Sequence, residues 1–280
     1  MVTQSILLIT GTSSGIGLAS AVAAARAGFT VVATMRDLNR ADALRDAADT
    51  AGVSLDLQPL DVTDPASVAA CLSYVKATYG RLDALLNNAG AGHLGTIELE
   101  SVDDVRAVME VNFFGVVAMT KAALPLLRAS GGRVVSVSSV GGVVGQPFNE
   151  AYCAAKFAVE GFMESLTPVA ATVGVRVTVI EPGAVTTEFV ANVGGRRSVE
   201  GTPYDGALRA YLERTAAAFD PAAAQTPEGV ADVIVEVLTS ENPPARVQTS
   251  EAAQRFAGVK LADLDGAHVQ AVTRHWVTGA

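Results

Sequence analysis

The stretch AYCAAKFAVEGF, Ala151 to Phe162, places Tyr152 and Lys156 four residues apart in a pattern that reads as helix. Positions i and i+4 share one helix face, so the phenol and the ammonium become neighbours. A phenol ordinarily titrates near pH 10, and a cation close by favours its ionised form. Such a pair is suited to giving a proton to a substrate oxygen or taking one away. In isolation it is equally an ordinary solvated surface, so its company in the chain decides.

Upstream, RVVSVSS ends in two hydroxyls, Ser138 and Ser139. Neither resembles a hydrolase nucleophile: no G-x-S-x-G surrounds them, and His93, His268 and His275 offer no evident base. A different chemistry is suggested by TGTSSGIG, Thr10 to Gly17, which follows an apolar run and opens a helical pattern. Glycines at Gly11, Gly15 and Gly17 allow close backbone approach, and the amides of a helix start face an anion. The spacing is looser than G-x-G-x-x-G, and the Gly-Lys-Ser/Thr ending of a nucleoside triphosphate loop is missing.

A dinucleotide held there needs a grip on its adenosine ribose near the end of the second strand. The segment ATMRDLNR offers Arg36 and then Asp37. A guanidinium makes charge-assisted, bidentate bonds to a 2′-phosphate, which favours NADP(H). Asp37 on the ribose of NAD(H) is the alternative.

These residues must be positioned by a sheet. Apolar, β-branched runs at 5–10, 30–35, 54–60, 82–88, 133–139, 175–182 and 246–249 read as strands. Helical patterns fall near 15–27, 38–51, 65–79, 101–129, 150–173 and 226–239. Continuously apolar strands alternating with helices predict an α/β fold, a Rossmann-type doubly wound parallel sheet of about seven strands with helices on both faces. No compositional break divides residues 1–280, so one dinucleotide-binding and catalytic domain is expected. The segment 186–222 mixes glycines, charges and short apolar patches, and reads as an insertion capping a site. The tail 250–280 has weak patterning and receives no firm structure.

Composition narrows the partners. Half of the 280 residues are apolar, 18% are charged, and the formal net charge is −9. A large buried core is affordable, and nucleic acid or an anionic membrane is a poor match for that charge. Two cysteines, Cys71 and Cys153, make neither a disulfide framework nor a metal site. The start of the chain has no basic secretion signal, and the longest apolar run is interrupted by Lys121 and Pro125. A cytoplasmic protein with no membrane span is expected.

Read in order, the motifs resemble the short-chain dehydrogenase/reductase family over roughly residues 5–190. TGTSSGIG resembles its cofactor turn, DVTD (61–64) its adenine-contacting turn, and NNAG (87–90) the end of its fourth strand. VNFFG (111–115) carries its helix asparagine and SVSSVGG (136–142) its serine. YCAAK (152–156) is similar to its Tyr-x-x-x-Lys, and PGAVTTEF (182–189) to its nicotinamide loop. SSVGGVVGQPFNEAYCAAKFAVEGFMESL is most similar to the 17β-hydroxysteroid and retinol dehydrogenase branch, whose NADP-preferring members ATMRDL also resembles.

The resemblance implies an NADP-dependent oxidoreductase that interconverts a hydrophobic ketone or aldehyde and its alcohol. Tyr152 would be the general acid or base, with Lys156 supplying charge and gripping the nicotinamide ribose. The family's serine-to-tyrosine spacing would select Ser139 as the hydroxyl that holds the substrate oxygen, with Ser138 pointing the other way. Asn112 would hold a water linking the lysine to solvent. Cofactor contacts are implied for Gly11, Thr12, Ser14, Gly15, Ile16, Gly17 and Arg36, for Asp61 and Val62 at adenine, and for Asn88, Ala89 and Gly90 near the adenosine ribose. Pro182, Gly183, Val185 and Thr187 would meet the nicotinamide, with Thr186 as an alternative to Thr187. The substrate pocket is expected at His93, Leu94, Val144, Gln146, Phe148 and Asn149, with Phe189 and Tyr211 added from the insertion. No metal is implied. Pairing of copies through 101–129 and 150–173, as a homodimer or homotetramer, is. A cofactor-binding sensor without turnover and an epimerase or dehydratase are the other readings.

Overall fold

The computed structural model describes residues 4–187, 201–218 and 224–267. Seven strands form one sheet: β1 (Ile6–Thr10), β2 (Thr30–Met35), β3 (Asp56–Pro59), β4 (Ala84–Asn87), β5 (Arg133–Val137), β6 (Arg176–Glu181) and β7 (Arg246–Gln248). Their order is β3-β2-β1-β4-β5-β6-β7 and every pairing is parallel. The chain leaves β1 in one direction and returns to β4 on its other side. That reversal opens a crevice at the carboxyl ends of β1 and β4, where ligands of open parallel sheets bind.

Both faces are covered. Ile6 and Leu8 of β1 point into a layer formed by α3 (Pro65–Tyr79), α5 (Gly115–Ser130) and α6 (Glu150–Ala171). Leu7 and Ile9 point the other way, against α1 (Gly15–Arg26), α2 (Asp42–Ala51) and α8 (Pro227–Thr239). The alternation follows from the two-residue period of a strand. Leu7, Leu8 and Ile9 are fully buried, each contributing about 1.5–3 kcal/mol relative to exposure.

The expected strands and crossover helices are all present, with ends shifted by one or two residues except at the helix expected over 38–51, which starts at Asp42 after a separate short turn at Leu38–Arg40. Three features differ from expectation. The helix anticipated over 101–129 consists of α4 (Val102–Met109), a widened π turn at Glu110–Phe114, and α5. Within the segment read as an insertion lies α7 (Asp205–Ala218). The tail left without structure begins with α9 (Glu251–Gly258), capped by the Ser250 hydroxyl accepting from Ala253 N–H. Only Ala253 and Ala257 of α9 are buried, and two alanines leave almost no hydrophobic signature. The run Val102–Ser130 is long and apolar enough to cross a membrane by length and composition, yet its Met119, Ala123 and Leu127 are fully buried in the core. At the opposite, amino-terminal end of the sheet, Ser5, Gly28, Asp83, Gly132 and Arg133 line an open hollow.

Candidate active site

The glycine turn lies at the switch point and is locked by backbone contacts. A side chain at Gly17 would place its Cβ 2.1 Å from the Gly11 carbonyl oxygen and 2.4 Å from Asn88 Nδ2. Gly11 adopts φ +73°, and a Cβ there would meet Ala89 Cα at 2.8 Å. NNAG is bound to the turn from the other side: Asn88 Nδ2 donates to the carbonyls of Thr10 and Gly11 at 3.0 and 2.8 Å. The Thr10 hydroxyl accepts the Asn88 and Ala89 N–H groups, each at 2.9 Å. Beyond this turn α1 starts with Ser14 at its N-cap, with no side-chain cap and no acidic residue in its first turn. Its leading amides are therefore left for an anion, the fit a pyrophosphate requires.

Several expected contact residues take a more specific place. Thr12 is fully buried and its hydroxyl donates to the Thr34 carbonyl at 3.1 Å, so it braces the turn against β2. Ile16 packs against the core layer of α1 and α8. Val62 turns its side chain into the core, where a Cβ on Gly115 would meet it at 2.6 Å, leaving its backbone for a ligand. Arg36 is exposed at the end of β2. The Asp61 carboxyl is held below its ordinary range, first by bonds from the Thr63 N–H and hydroxyl at 2.9 and 2.7 Å, then by the Arg36 guanidinium. Asp37 accepts from Asn39 N–H at 3.0 Å and caps the short turn Leu38–Arg40.

The loop after β6 reaches back over the turn. Pro182 accepts from Val140 N–H through its carbonyl at 2.9 Å, Gly183 lies against Ala253, and Val185 is buried. The Thr186 hydroxyl and N–H both donate to the Gln225 carbonyl, at 3.1 and 2.8 Å. Thr187 instead places its Cγ2 3.2 Å from the Cβ position of Gly15, directly over the anion turn. Of the two threonines, Thr187 is the one that faces the crevice.

Tyr152, Lys156, Ser139 and Asn112 converge at the carboxyl end of β5. The Cβ position of Gly141 is 3.4 Å from Ser139 Oγ and 3.5 Å from Tyr152 Cε1. That of Gly90 is 2.9 Å from Asn112 Oδ1 and 3.7 Å from Lys156 Nζ. Lys156 is buried, donates to the Val137 carbonyl at 2.9 Å, and sits 5.8 Å from the Tyr152 ring centre. Ser138 and Ser139 face different surroundings, as strand alternation predicts: Ser138 is buried beside Glu160, and Ser139 reaches the phenol.

One expectation is corrected here. A lysine was expected to draw the phenol below its usual value, but the Tyr152 phenol is raised above it. Desolvation dominates, the Ser139 hydroxyl bond opposes it, and the neighbouring Cys153 adds to it. Lys156 is itself desolvated and pushed down to about 8, with Glu160 pulling upward. The ammonium is committed to a backbone carbonyl and stands off the ring, so little of its charge reaches the hydroxyl.

Asn112 is fully buried, and its side chain is bound to the backbone of Ala91 in both directions, at 3.0 and 3.2 Å, and to the Val108 carbonyl at 3.0 Å. On the substrate side, the two expected loops are joined. Gly95 N–H donates to the Phe148 carbonyl at 2.9 Å, and Asn149 Nδ2 donates to the Tyr211 hydroxyl at 2.7 Å. Phe148 and Tyr211 hold their rings 5.7 Å apart, and α7 is further tied down by Tyr204 on Glu98. Leu94, Val144 and Gln146 are half-buried between these contacts, and Gln146 N–H donates to Cys153 Sγ at 3.4 Å. His93, expected in the substrate pocket, is buried and its Nε2 is paired with Glu100. Phe189 lies outside the described residues.

The sequence reading did not single out Glu160, Glu181, Arg246 or Gln248. Arg246 Nε lies 3.0 Å from Glu181 Oε1, and Arg246 Nη2 lies 3.0 Å from Glu164 Oε2. Gln248 Nε2 donates to Glu181 Oε2 at 2.9 Å. A carboxylate closing the apolar strand run VTVIE was the available signal.

An oxidoreductase working with NAD(P) is the class to which this fold and its sequence relatives assign the chain. Residues 5–197 match the short chain dehydrogenase family, and the chain belongs to it. Retinol dehydrogenase 8 of Bos taurus is 39% identical over 272 residues, covering 93% of this chain and 86% of that one. The 17-beta-hydroxysteroid dehydrogenase type 1 of Homo sapiens is 40% identical over 276 residues, covering 95% and 83%. Among solved structures, a short-chain dehydrogenase from Streptomyces avermitilis superposes with TM-score 0.77 at 33% identity, covering 98% of this chain and 96% of that one. An actinorhodin polyketide ketoreductase bound to NADPH does so at 0.73 and 28%, covering 88% and 95%.

Proposed function

We propose that this chain uses NADP(H) to interconvert a hydrophobic ketone or aldehyde and its alcohol, with Tyr152 as the proton donor and acceptor. The observation that carries the reading is the convergence of Ser139, Tyr152, Lys156 and Asn112 beside an uncapped, glycine-lined helix start. The nicotinamide would supply the hydride. Gly11, Gly15, Gly17 and the first amides of α1 would hold its pyrophosphate, and Thr187 would meet the carboxamide. Ser139 would bond the substrate oxygen and stabilise its developing negative charge, while Tyr152 gives it the proton. Lys156 would refill that proton, with Asn112 and Gly90 bordering its route outward.

The preference for NADP(H) is supported by Arg36, exposed at the strand end. Asp37, the residue an NAD site would use, is occupied by its own turn. The apolar surfaces of Leu94, Val144, Phe148 and Tyr211 suit an apolar substrate. The two relatives named for retinol and 17-beta-hydroxysteroid oxidation support the same class. We read residues 1–280 as one domain capped by the segment around 186–222, in a cytoplasmic homodimer or homotetramer. The exposed Phe114, Val169 and Val173 on the α5 and α6 side support the pairing.

Titration of the protein with NADPH and NADH, followed by nicotinamide fluorescence, tests the cofactor. NADPH should bind more tightly, and Arg36→Ala should weaken it about ten- to a hundred-fold while leaving NADH unchanged, the worth of a charge-assisted bond. Equal binding of both cofactors would transfer the ribose role to Asp37. Reduction of aromatic and alicyclic ketones with NADPH then tests the reaction.

A further inference from the structure

The loop that follows β6 is held by a residue some forty positions further along the chain. Gln225 N–H donates to the Ala184 carbonyl at 2.9 Å. The Gln225 carbonyl accepts the Thr186 N–H at 2.8 Å and the Thr186 hydroxyl at 3.1 Å. Val185 and Gln225 thereby form an isolated parallel bridge. The Gln225 side chain carries the connection on to Thr249, the residue after β7. Its Nε2 donates to the Thr249 carbonyl and its Oε1 accepts from the Thr249 hydroxyl, both at 2.5 Å. Thr249 N–H in turn donates to the carbonyl of Glu181, the last residue of β6, at 3.4 Å. The circuit closes on itself: β6 launches the loop, the loop binds Gln225, Gln225 binds Thr249, and Thr249 returns to β6. Both clamp residues also stand beside helix starts. Gln225 precedes Thr226, the N-cap of α8, which packs in the core layer of α1. Thr249 precedes Ser250, the N-cap of α9.

We propose that Gln225 is a positioning residue for Thr187, and through it for the nicotinamide half of the cofactor. The inference rests on the NADP(H) reading given above. Thr186 commits both its N–H and its hydroxyl to the Gln225 carbonyl. The next residue, Thr187, is then the one that lies over the anion turn, with Cγ2 3.2 Å from the Cβ position of Gly15. The main chain of Gln225 thus selects which of two adjacent threonines faces the crevice. Its side chain fixes where that main chain stands. A carboxamide offers a donor and an acceptor side by side, which is what the Thr249 carbonyl and hydroxyl together require. Contacts to the adenosine half of the cofactor come from other elements, β1, β2 and β4, and lie outside the circuit.

The test compares two ligands by calorimetry on the full chain: NADPH, and 2′-phospho-ADP-ribose, which is NADPH without its nicotinamide. Gln225→Ala should weaken NADPH about three- to ten-fold, the worth of the side-chain hydrogen bonds it removes, and leave 2′-phospho-ADP-ribose unchanged. Thr249→Val, which removes only the hydroxyl, should weaken NADPH in the same sense by less. Thr249→Ser, which keeps the hydroxyl, should bind as the parent does. The double variant Gln225→Ala with Thr249→Val should bind no worse than Gln225→Ala alone, because both changes break one contact. In the cofactor-free chain, hydrogen exchange at the Thr186 amide should quicken in Gln225→Ala while the amides of β1 keep their rates. An equal loss for both ligands would make Gln225 a residue of general stability, and unmoved NADPH affinity in the folded variants would deny it any role. Either result overturns the proposal, and Thr249→Val decides it if Gln225→Ala misfolds. A parent chain that binds neither NADPH nor NADH would instead remove the cofactor reading and this inference together, so the two failures are distinct.

Discussion

The two sides of the crevice are built by different means. On the cofactor side, between β1 and β4, backbone meets backbone: Gly17 leaves no room for a Cβ, and Asn88 and Thr10 bind main-chain atoms of the turn. On the substrate side, the loop around Gly95, the loop around Phe148 and α7 are joined largely by side chains: Asn149 to Tyr211, Phe148 against Tyr211, Tyr204 to Glu98. A backbone-built site tolerates almost no change of residue. A side-chain-built one is re-cut by single substitutions, which is how one fold serves many substrates. Tyr152 stands where the two meet.

That contrast can be broken at its centre or on either flank. Tyr152→Phe should leave both flanks intact and lower turnover about 10²- to 10⁴-fold, the usual contribution of a positioned acid or base. Unchanged NADPH fluorescence in that variant is the control, and retention of full turnover would remove Tyr152 from the reaction. Gly17→Ala attacks the cofactor flank alone. With its Cβ 2.1 Å from a carbonyl oxygen, it should weaken NADPH binding about ten- to a hundred-fold through overpacking. Tyr211→Phe attacks the substrate flank, removing one of the two acceptors of Asn149 Nδ2, the other being the Pro147 carbonyl. It should raise KM for an active ketone about five-fold, one lost hydrogen bond, with the Kd for NADPH unmoved. A change in NADPH affinity of similar size would show that the flanks are not separable.

The smallest expected effect is one of stability, beneath the crevice. Burial raises the Glu160 carboxyl, so between the ordinary glutamate value and the raised one the folded chain keeps a proton that the unfolded chain has released. The stability tied to that proton is complete at low pH and is lost as pH rises. Glu160→Gln titrates nothing, so its Tm relative to the parent should climb between pH 5 and pH 8.5, by about 2–4 °C for each kcal/mol involved. A constant difference across that range would mean that the carboxyl ionises in the folded chain as it does in water.

The same division governs what could be read from sequence. The glycine turn was legible because only glycine fits there, and its strand and helix were marked by uninterrupted apolar runs. Ser139, Tyr152 and Lys156 were legible as a spacing. Asn112 was visible as a residue, but its π turn was not. At that turn Asn112 Nδ2 donates to the Val108 carbonyl while also reaching across to Ala91. That second partner is remote in sequence and leaves no periodic trace. Helix α7 mixes charges and alanines with few large apolar residues, and α9 buries only alanines, so neither advertises a face. The state of the Tyr152 phenol was misread for a related reason. Helical spacing gives the proximity of Lys156 but not its commitment to Val137, nor the desolvation that outweighs it.

The amino-terminal end of the sheet holds none of this chemistry. Its hollow, lined by Ser5, Gly28, Asp83, Gly132 and Arg133, is separated from the crevice by the whole length of the strands. A parallel sheet thereby sorts its own mutations by position. Changes at this end register as altered folding, and changes at the other end register as altered reaction. The hollow is accordingly a built-in reference surface: a dye, a surface tether or a fusion partner attached there would report on the intact enzyme without standing in the path of its ligands.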